Sequence, residues 1–276
     1  MDHLQFIFNK VENGQREILI ALLSDIGFEG FEEENDDLKA FVKEGEFNQE
    51  LFDGIIENIA VKYSKSIIKN INWNEKWESG FEPVIVNHPT SQQPFAVVRA
   101  GFHNSIKDVL YDLVVTPKMS FGTGHHATTY LMIQQMSLLD FKDKTVIDFG
   151  TGTGVLAILA EKLGASNITA VDNDDWSINN AKENIEANSC SQIKLVKAET
   201  IEAGLKANII LANINLNIII ANLDAIKAAC LPDATILFSG IMAQDEGQIL
   251  AALKENNFTI LSSFNRDNWL IIVTKR

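Results

Sequence analysis

Glycine recurs at every second position in Asp148-Phe-Gly-Thr-Gly-Thr-Gly154. The run follows the apolar residues Thr145-Val-Ile147 and precedes a helix-like pattern of Val155, Leu156, Ile158, Leu159 and Leu163. Glycine tolerates the left-handed backbone of a tight turn, and a ligand can then lie against bare amide groups at a helix start. The next apolar run, Ile168-Thr-Ala-Val-Asp172, ends in a second carboxylate. An acid there is placed to accept hydrogen bonds from ribose hydroxyls, so the pattern reads as a nucleoside-binding half-fold.

Spacing separates two ligand classes. A dinucleotide fold wants G-x-G-x-x-G, which would put the third glycine at position 155. That position is Val155, and the glycine comes one residue early at Gly154. The form D-x-G-x-G-x-G is that of S-adenosyl-L-methionine-dependent methyltransferases. The turn puts Gly150 and Gly152 against the ligand and Asp172 on its ribose. The ends of later strands add Glu199 and Asn213 to the same edge. Glu199 follows a weak strand and reads better as surface. Asn213 follows Ile209-Ile-Leu-Ala212 and is placed to face a reacting methyl group, although it could instead cap the following helix. Asp172, Asp174 and Asp175 could each cap the helix after them.

A second polar turn is Met119-Ser-Phe-Gly-Thr-Gly-His-His-Ala-Thr-Thr129, just before a helix expected over 130–138. Adjacent histidines point different ways and make a poor metal pair, and no third ligand lies nearby. His125 and His126 therefore read as a hydrogen-bonded loop and no metal is expected. A base at His126 is the weaker reading.

The elements that must hold these groups alternate. Strands and helices succeed one another from Thr145 onward, which predicts a doubly wound parallel sheet. The last two strands, 259–264 and 269–274, are joined by only four residues, so they must form a hairpin and end the sheet antiparallel. Dinucleotide folds normally end with parallel strands. Strands are also expected at 95–100 and 113–116. Residues 1–70 read β-α-β-β-α-β, the order of a ferredoxin-like α+β domain. An aromatic linker over 71–94 carries Trp73, Trp77, Phe81 and Pro83. The two tryptophans fit core packing at a domain junction better than a ligand contact. The expected division is 1–70, a ferredoxin-like substrate-recognition domain, then the 71–94 linker, then a 95–276 methyltransferase domain.

Composition narrows the partners. The chain has 276 residues, 46% hydrophobic, with a net charge of −14. That acidity argues against binding a nucleic-acid backbone. Residues 1–70 hold 15 acidic against 7 basic side chains, more than half of the excess. This is either a solvated face or a dock for a basic protein. Cys190 and Cys230 lack metal spacing and read as reduced thiols of a cytoplasmic protein. The N-terminus lacks the form of a signal peptide. The most apolar stretch, 208–223, contains five asparagines and does not read as a membrane span.

The chain resembles the ribosomal protein L11 methyltransferases over essentially its whole length. The resemblance rests on Trp73-Asn-Glu-Lys-Trp77 with Phe81 and Pro83, on Phe121-Gly-Thr-Gly-x-His-x-Thr-Thr129, on Val146-Ile-Asp-Phe-Gly-x-Gly-x-Gly154, and on Ala212-Asn-Ile214. His125 and Ala127 stand where the family commonly has Thr and Pro. Thr151 and Thr153 replace its usual Cys and Ser, and Asn215-Leu-Asn217 is more polar. The resemblance implies cofactor contacts at Thr129, Gly150, Asp172 and Asn213. It also implies a small N-terminal domain that recruits the large-subunit ribosomal protein and a linker that lets it present several amino groups. Competing readings are a methyltransferase for a small molecule, RNA or another protein, a nicotinamide-dependent dehydrogenase, and a non-catalytic module on the same fold. A small-molecule enzyme would not need residues 1–70, the net charge disfavours RNA, and Val155 and the terminal hairpin argue against the dehydrogenase.

Overall fold

The computed structural model describes residues 3–9, 11, 13–34, 37–59, 61–68, 81–116 and 124–276. Trp73, Trp77 and the Phe121-Gly-Thr123 segment lie outside these residues. The chain divides into two compact units, Met1–Lys76 and Trp77–Arg276.

The first unit runs β1 (His3–Phe8), α1 (Asn13–Asp25), β2 (Gly30–Glu34), β3 (Asp37–Lys43), α2 (Gln49–Ile59), β4 (Tyr63–Ile68). Its sheet has the order β2-β3-β1-β4, with every pair antiparallel. This is a ferredoxin-like α+β arrangement. Period-two alternation puts Leu4, Phe6 and Phe8 of β1 and Leu38, Ala40 and Val42 of β3 inside. Leu19 and Leu23 of α1 and Phe52 of α2 close over them in one cluster. The Phe6 and Phe52 rings sit 4.5 Å apart at its centre.

The second unit begins with β5 (Val84–Asn87), β6 (Pro94–Ala100) and β7 (Tyr111–Val115), a small sheet in that order. The sequence reading gave 81–94 to a linker. Here Phe81 is buried and β5 pairs antiparallel with β6, which sets Val84 against Val98 and Val86 against Ala96. β6 and β7 are parallel. Then follow α3 (Ala127–Met136), β8 (Thr145–Phe149), α4 (Val155–Lys162), β9 (Asn167–Asp172), α5 (Asp175–Ala187), β10 (Ile193–Lys197) and β11 (Ala207–Asn213). The chain ends with α6 (Leu216–Ala221), α7 (Leu223–Ala229), β12 (Cys230–Met242), α8 (Glu246–Glu255), β13 (Thr259–Arg266) and β14 (Trp269–Lys275). One helix is expected from 216 to 230. It breaks at Asn222, whose side chain donates to the Ile218 carbonyl at 2.9 Å and competes with the helical ladder.

The large sheet has the order β10-β9-β8-β11-β12-β14-β13. Its first five strands are parallel and the last two pairings antiparallel. Both faces of the central strands are covered, so they carry apolar runs such as Ile209-Ile-Leu-Ala212, while the edge strand β10 keeps Lys194 and Lys197 exposed. Val146, Ile168 and Leu211 face one cluster with α3 and α4, while Ile147, Val171 and Ile210 face the other with α6 to α8. The strand order reverses between β8 and β11, and ligands of open α/β sheets collect in the crevice above such a reversal.

Candidate active site

Register brings the predicted groups to one level. Phe149 pairs with Val171 on one side and Ala212 on the other, and Asn213 pairs with Ser239. Gly150, Asp172 and Asn213 are therefore neighbours in a row at the carboxyl edge, and Gly240 follows one residue on. A cleft of about 370 Å³ opens there, lined by Gly150, Gly152, Asp172, Glu199, Asn213 and Trp269 among others. That volume suits a small organic ligand.

Backbone chemistry builds one wall. Gly150, Gly152 and Gly154 all have positive φ, at 77°, 54° and 78°. Gly150 and Thr151 donate their N–H groups to the Val171 carbonyl at 2.8 and 2.9 Å, which ties the turn to β9. A Cβ at Gly150 would collide with the Ile214 side chain, and one at Gly240 with the Ile214 backbone. The cleft floor is thus closed by Ile214 between two glycines.

Asp172 accepts from the Gly152 N–H at 2.8 Å and the Asp174 N–H at 3.1 Å, and still faces the cleft. The cap of α5 is Asp174, which accepts from the Ser177 N–H at 2.9 Å. Asp172 is therefore left to the cleft. Asp148, one strand over, sits two residues deeper and is 1% exposed. Its Oδ2 accepts from Thr151 Oγ1 at 2.6 Å and the Ala157 N–H at 3.2 Å, so it clamps the turn to α4 from beneath. Burial pushes its carboxyl up to about 7.

The other wall comes from β11 and its neighbours. Asn213 is 7% exposed, and its Nδ2 donates to Thr129 Oγ1 at 3.5 Å. Its Oδ1 is buried with no hydrogen-bond partner among the described residues. The cap of α6 is Asn215, which accepts from the Ile218 N–H at 3.1 Å, so capping does not occupy Asn213. Thr129 is fully buried on α3, behind Asn213. Glu199, read from sequence as surface, is exposed yet reaches the rim of the cleft.

His126 caps α3. Its Nδ1 lies 2.9 Å from Thr128 Oγ1 and its ring meets Trp269 edge-on at 4.6 Å. Burial lowers its pKa. A helix cap explains this residue better than a base does. His125 packs edge-on against Phe81, with the ring centroids 4.6 Å apart. Sequence reading missed Trp269, Ile214 and Gly240 as cleft residues. Ile214 was visible only as part of Ala212-Asn-Ile214, and Trp269 had no local signal at all. Among the described residues no three His, Cys, Asp or Glu side chains are grouped to hold a metal, and no helix is long and apolar enough to cross a membrane.

The family model for ribosomal protein L11 methyltransferase (PrmA) matches residues 12–276. The chain belongs to the ribosomal protein L11 methyltransferase family. It is 37% identical to the ribosomal protein L11 methyltransferase of Chlorobaculum parvum, over 98% of this chain and 95% of that one. It is 35% identical to that of Porphyromonas gingivalis, over 92% and 88%. The crystal structure of the ribosomal protein L11 methylase from Lactobacillus delbrueckii subsp. bulgaricus superimposes with a TM-score of 0.62 and 29% identity. It covers 70% of this chain and 98% of that one. As a member of the ribosomal protein L11 methyltransferase family, the protein is an enzyme whose methyl donor is S-adenosyl-L-methionine.

Proposed function

We propose that this enzyme transfers methyl groups to amino groups of ribosomal protein L11, lysine side chains or the N-terminal amine, in the cytoplasm. In this reading Gly150, Gly152, Asp172 and Asn213 hold the donor, with Thr129 behind them, and residues 1–70 hold the protein substrate. The observation that carries it is Asn213 at the switch-point cleft, a buried amide whose Oδ1 has no partner among the described residues. An unpartnered buried acceptor is costly, and a ligand N–H would satisfy it.

When bound, the donor's sulfonium supplies an electrophilic methyl group. Asp172 accepts from the ribose hydroxyls, and the glycine turn lets the ligand approach the backbone closely. Asn213 Oδ1 accepts an N–H of the incoming amine and aims its lone pair. The amine must be neutral to attack. An α-amino group reaches that state near neutral pH, and a lysine reaches it when desolvated. Trp269 and Ile214 supply apolar surface at the cleft, which favours the neutral amine. The acidic excess of residues 1–70 suits attraction of a basic ribosomal protein.

Incubation with labelled S-adenosyl-L-methionine and a mixture of ribosomal proteins tests the assignment. The L11 band should take the label, and label on another band alone would reject the substrate. Deleting residues 1–76 should spare donor binding and collapse L11 methylation by about 100-fold, because the substrate is no longer held near the site. Full L11 activity in the truncated protein would assign residues 1–70 another role.

A further inference from the structure

β7 pairs with β6 along one edge only, and its other edge turns toward α5. Three asparagines there take the place of a missing strand. Asn180, Asn184 and Asn188 stand four apart on α5 and so share one face. Asn188 Nδ2 donates to the Val114 carbonyl at 2.6 Å, and its Oδ1 accepts the Val114 N–H at 3.0 Å. Asn184 Oδ1 accepts the Thr116 N–H at 2.7 Å. Asn180 Nδ2 donates to the Thr116 carbonyl at 3.4 Å. A carboxamide has the donor and acceptor of a peptide group, so this ladder satisfies alternate residues of an otherwise open strand edge.

The middle rung does more than close an edge. Asn184 is fully buried, and its Nδ2 donates to the Thr153 carbonyl at 2.8 Å, inside the glycine turn. One amide therefore holds the end of β7 with its oxygen and the donor-binding turn with its nitrogen. Asn188 holds β7 and the Asn184 carbonyl one helical turn back, with no bond to the glycine turn. Asn184 does not line the cleft, and neither do Val114 and Thr116.

We infer that Asn184 is a positioning residue that fixes the glycine turn against the end of β7, the segment that leads toward α3 and Thr129. The turn's shape, and with it affinity for S-adenosyl-L-methionine, depends on this rung, whereas Asn188 serves the strand edge only. The inference rests on the cofactor site proposed above.

The test compares Asn184→Asp with Asn188→Ala by calorimetry with S-adenosyl-L-methionine and by thermal melting. Asn184→Asp keeps the acceptor for Thr116 and replaces the donor to Thr153 with an oxygen. It should weaken donor binding about tenfold, with turnover at saturating donor within about threefold of wild type. Asn188→Ala should lower the melting temperature and leave the donor's Kd within about twofold, because the turn is untouched. Equal Kd changes in both variants, or none in Asn184→Asp, would overturn the positioning role. Hydrogen exchange on the wild type provides a check that needs no variant. Saturation with S-adenosyl-L-methionine should slow exchange at Thr116, whose N–H Asn184 holds, more than at Val114, whose N–H Asn188 holds, and unchanged exchange at Thr116 would also overturn the inference. A wild type that does not bind the donor at all would instead sink the assigned cofactor site.

Discussion

The two walls of the cleft are built on different principles. The β8–β9 wall is backbone: three glycines with positive φ, two N–H groups hooked on Val171, and Asp172 pinned by two further N–H groups. Its shape is set by these bonds before any ligand arrives, with Asp172 still facing the cleft. The β11 wall presents a side-chain acceptor, Asn213 Oδ1, that is unpartnered among the described residues, beside the Trp269 ring. A wall pinned by backbone hydrogen bonds fixes where the donor lies. A wall with an open acceptor can respond to the incoming group. Substitutions in the first should therefore act on binding and those in the second on turnover.

The largest effect is expected from Gly150→Ala. The added methyl meets Ile214 and the residue must keep a φ of 77°. A cost of about 2–4 kcal/mol combines the left-handed strain and the overpacking. Calorimetry should show donor binding reduced by more than about 100-fold, and a variant that binds normally would mean the turn relaxes freely. Asn213→Ala should lower single-turnover rates by about 100-fold, a larger loss than the one it causes in donor affinity. Equal losses in rate and affinity would merge the two walls into one. Asp172→Ala should do the reverse, weakening the donor by about 1–3 kcal/mol with a smaller loss of rate at saturation.

A smaller effect distinguishes the two carboxylates of the first wall. Asp148 has its carboxyl raised from the ordinary 3.8 to about 7 by burial. An acid raised in the folded state stabilises the fold fully below its unfolded value. That contribution is lost as pH rises through the folded one. The donor-free protein should therefore lose stability from this group between about pH 4 and pH 7. Melting temperatures measured across that range should show a shallower dependence in Asp148→Asn. An unchanged slope would mean that the carboxyl is not protonated in the folded protein. The smallest expected change is a moderate fall in L11 methylation with added salt. Attraction to the acidic residues 1–70 is screened over about 8–10 Å, and a salt-independent rate would remove electrostatics from docking.

Much of this architecture was legible in the residues. The β-α-β-β-α-β order of residues 1–70, the alternation from Thr145 onward and the closing hairpin are local patterns of period and loop length, and they survive folding unchanged. The Gly150-x-Gly-x-Gly154 turn was also legible, because all three positions take a positive φ and position 150 has no room for a Cβ beside Ile214. The amino-acid order likewise fixed which carboxylate and which amide end their strands, Asp172 and Asn213.

Tertiary structure alone decided the rest. Register set Asp148 beneath the turn and Asp172 in the cleft, although both close a strand with an acid. Competition among neighbours decided the caps, so that Asp174 and Asn215 took the helix ends and left Asp172 and Asn213 to the site. Trp269 reached the cleft from a hairpin 119 residues beyond Gly150, and the asparagine face of α5 found its use only against the open edge of β7. Such relations depend on strand order and pairing. These bring distant residues together through contacts that neither spacing nor residue type encodes.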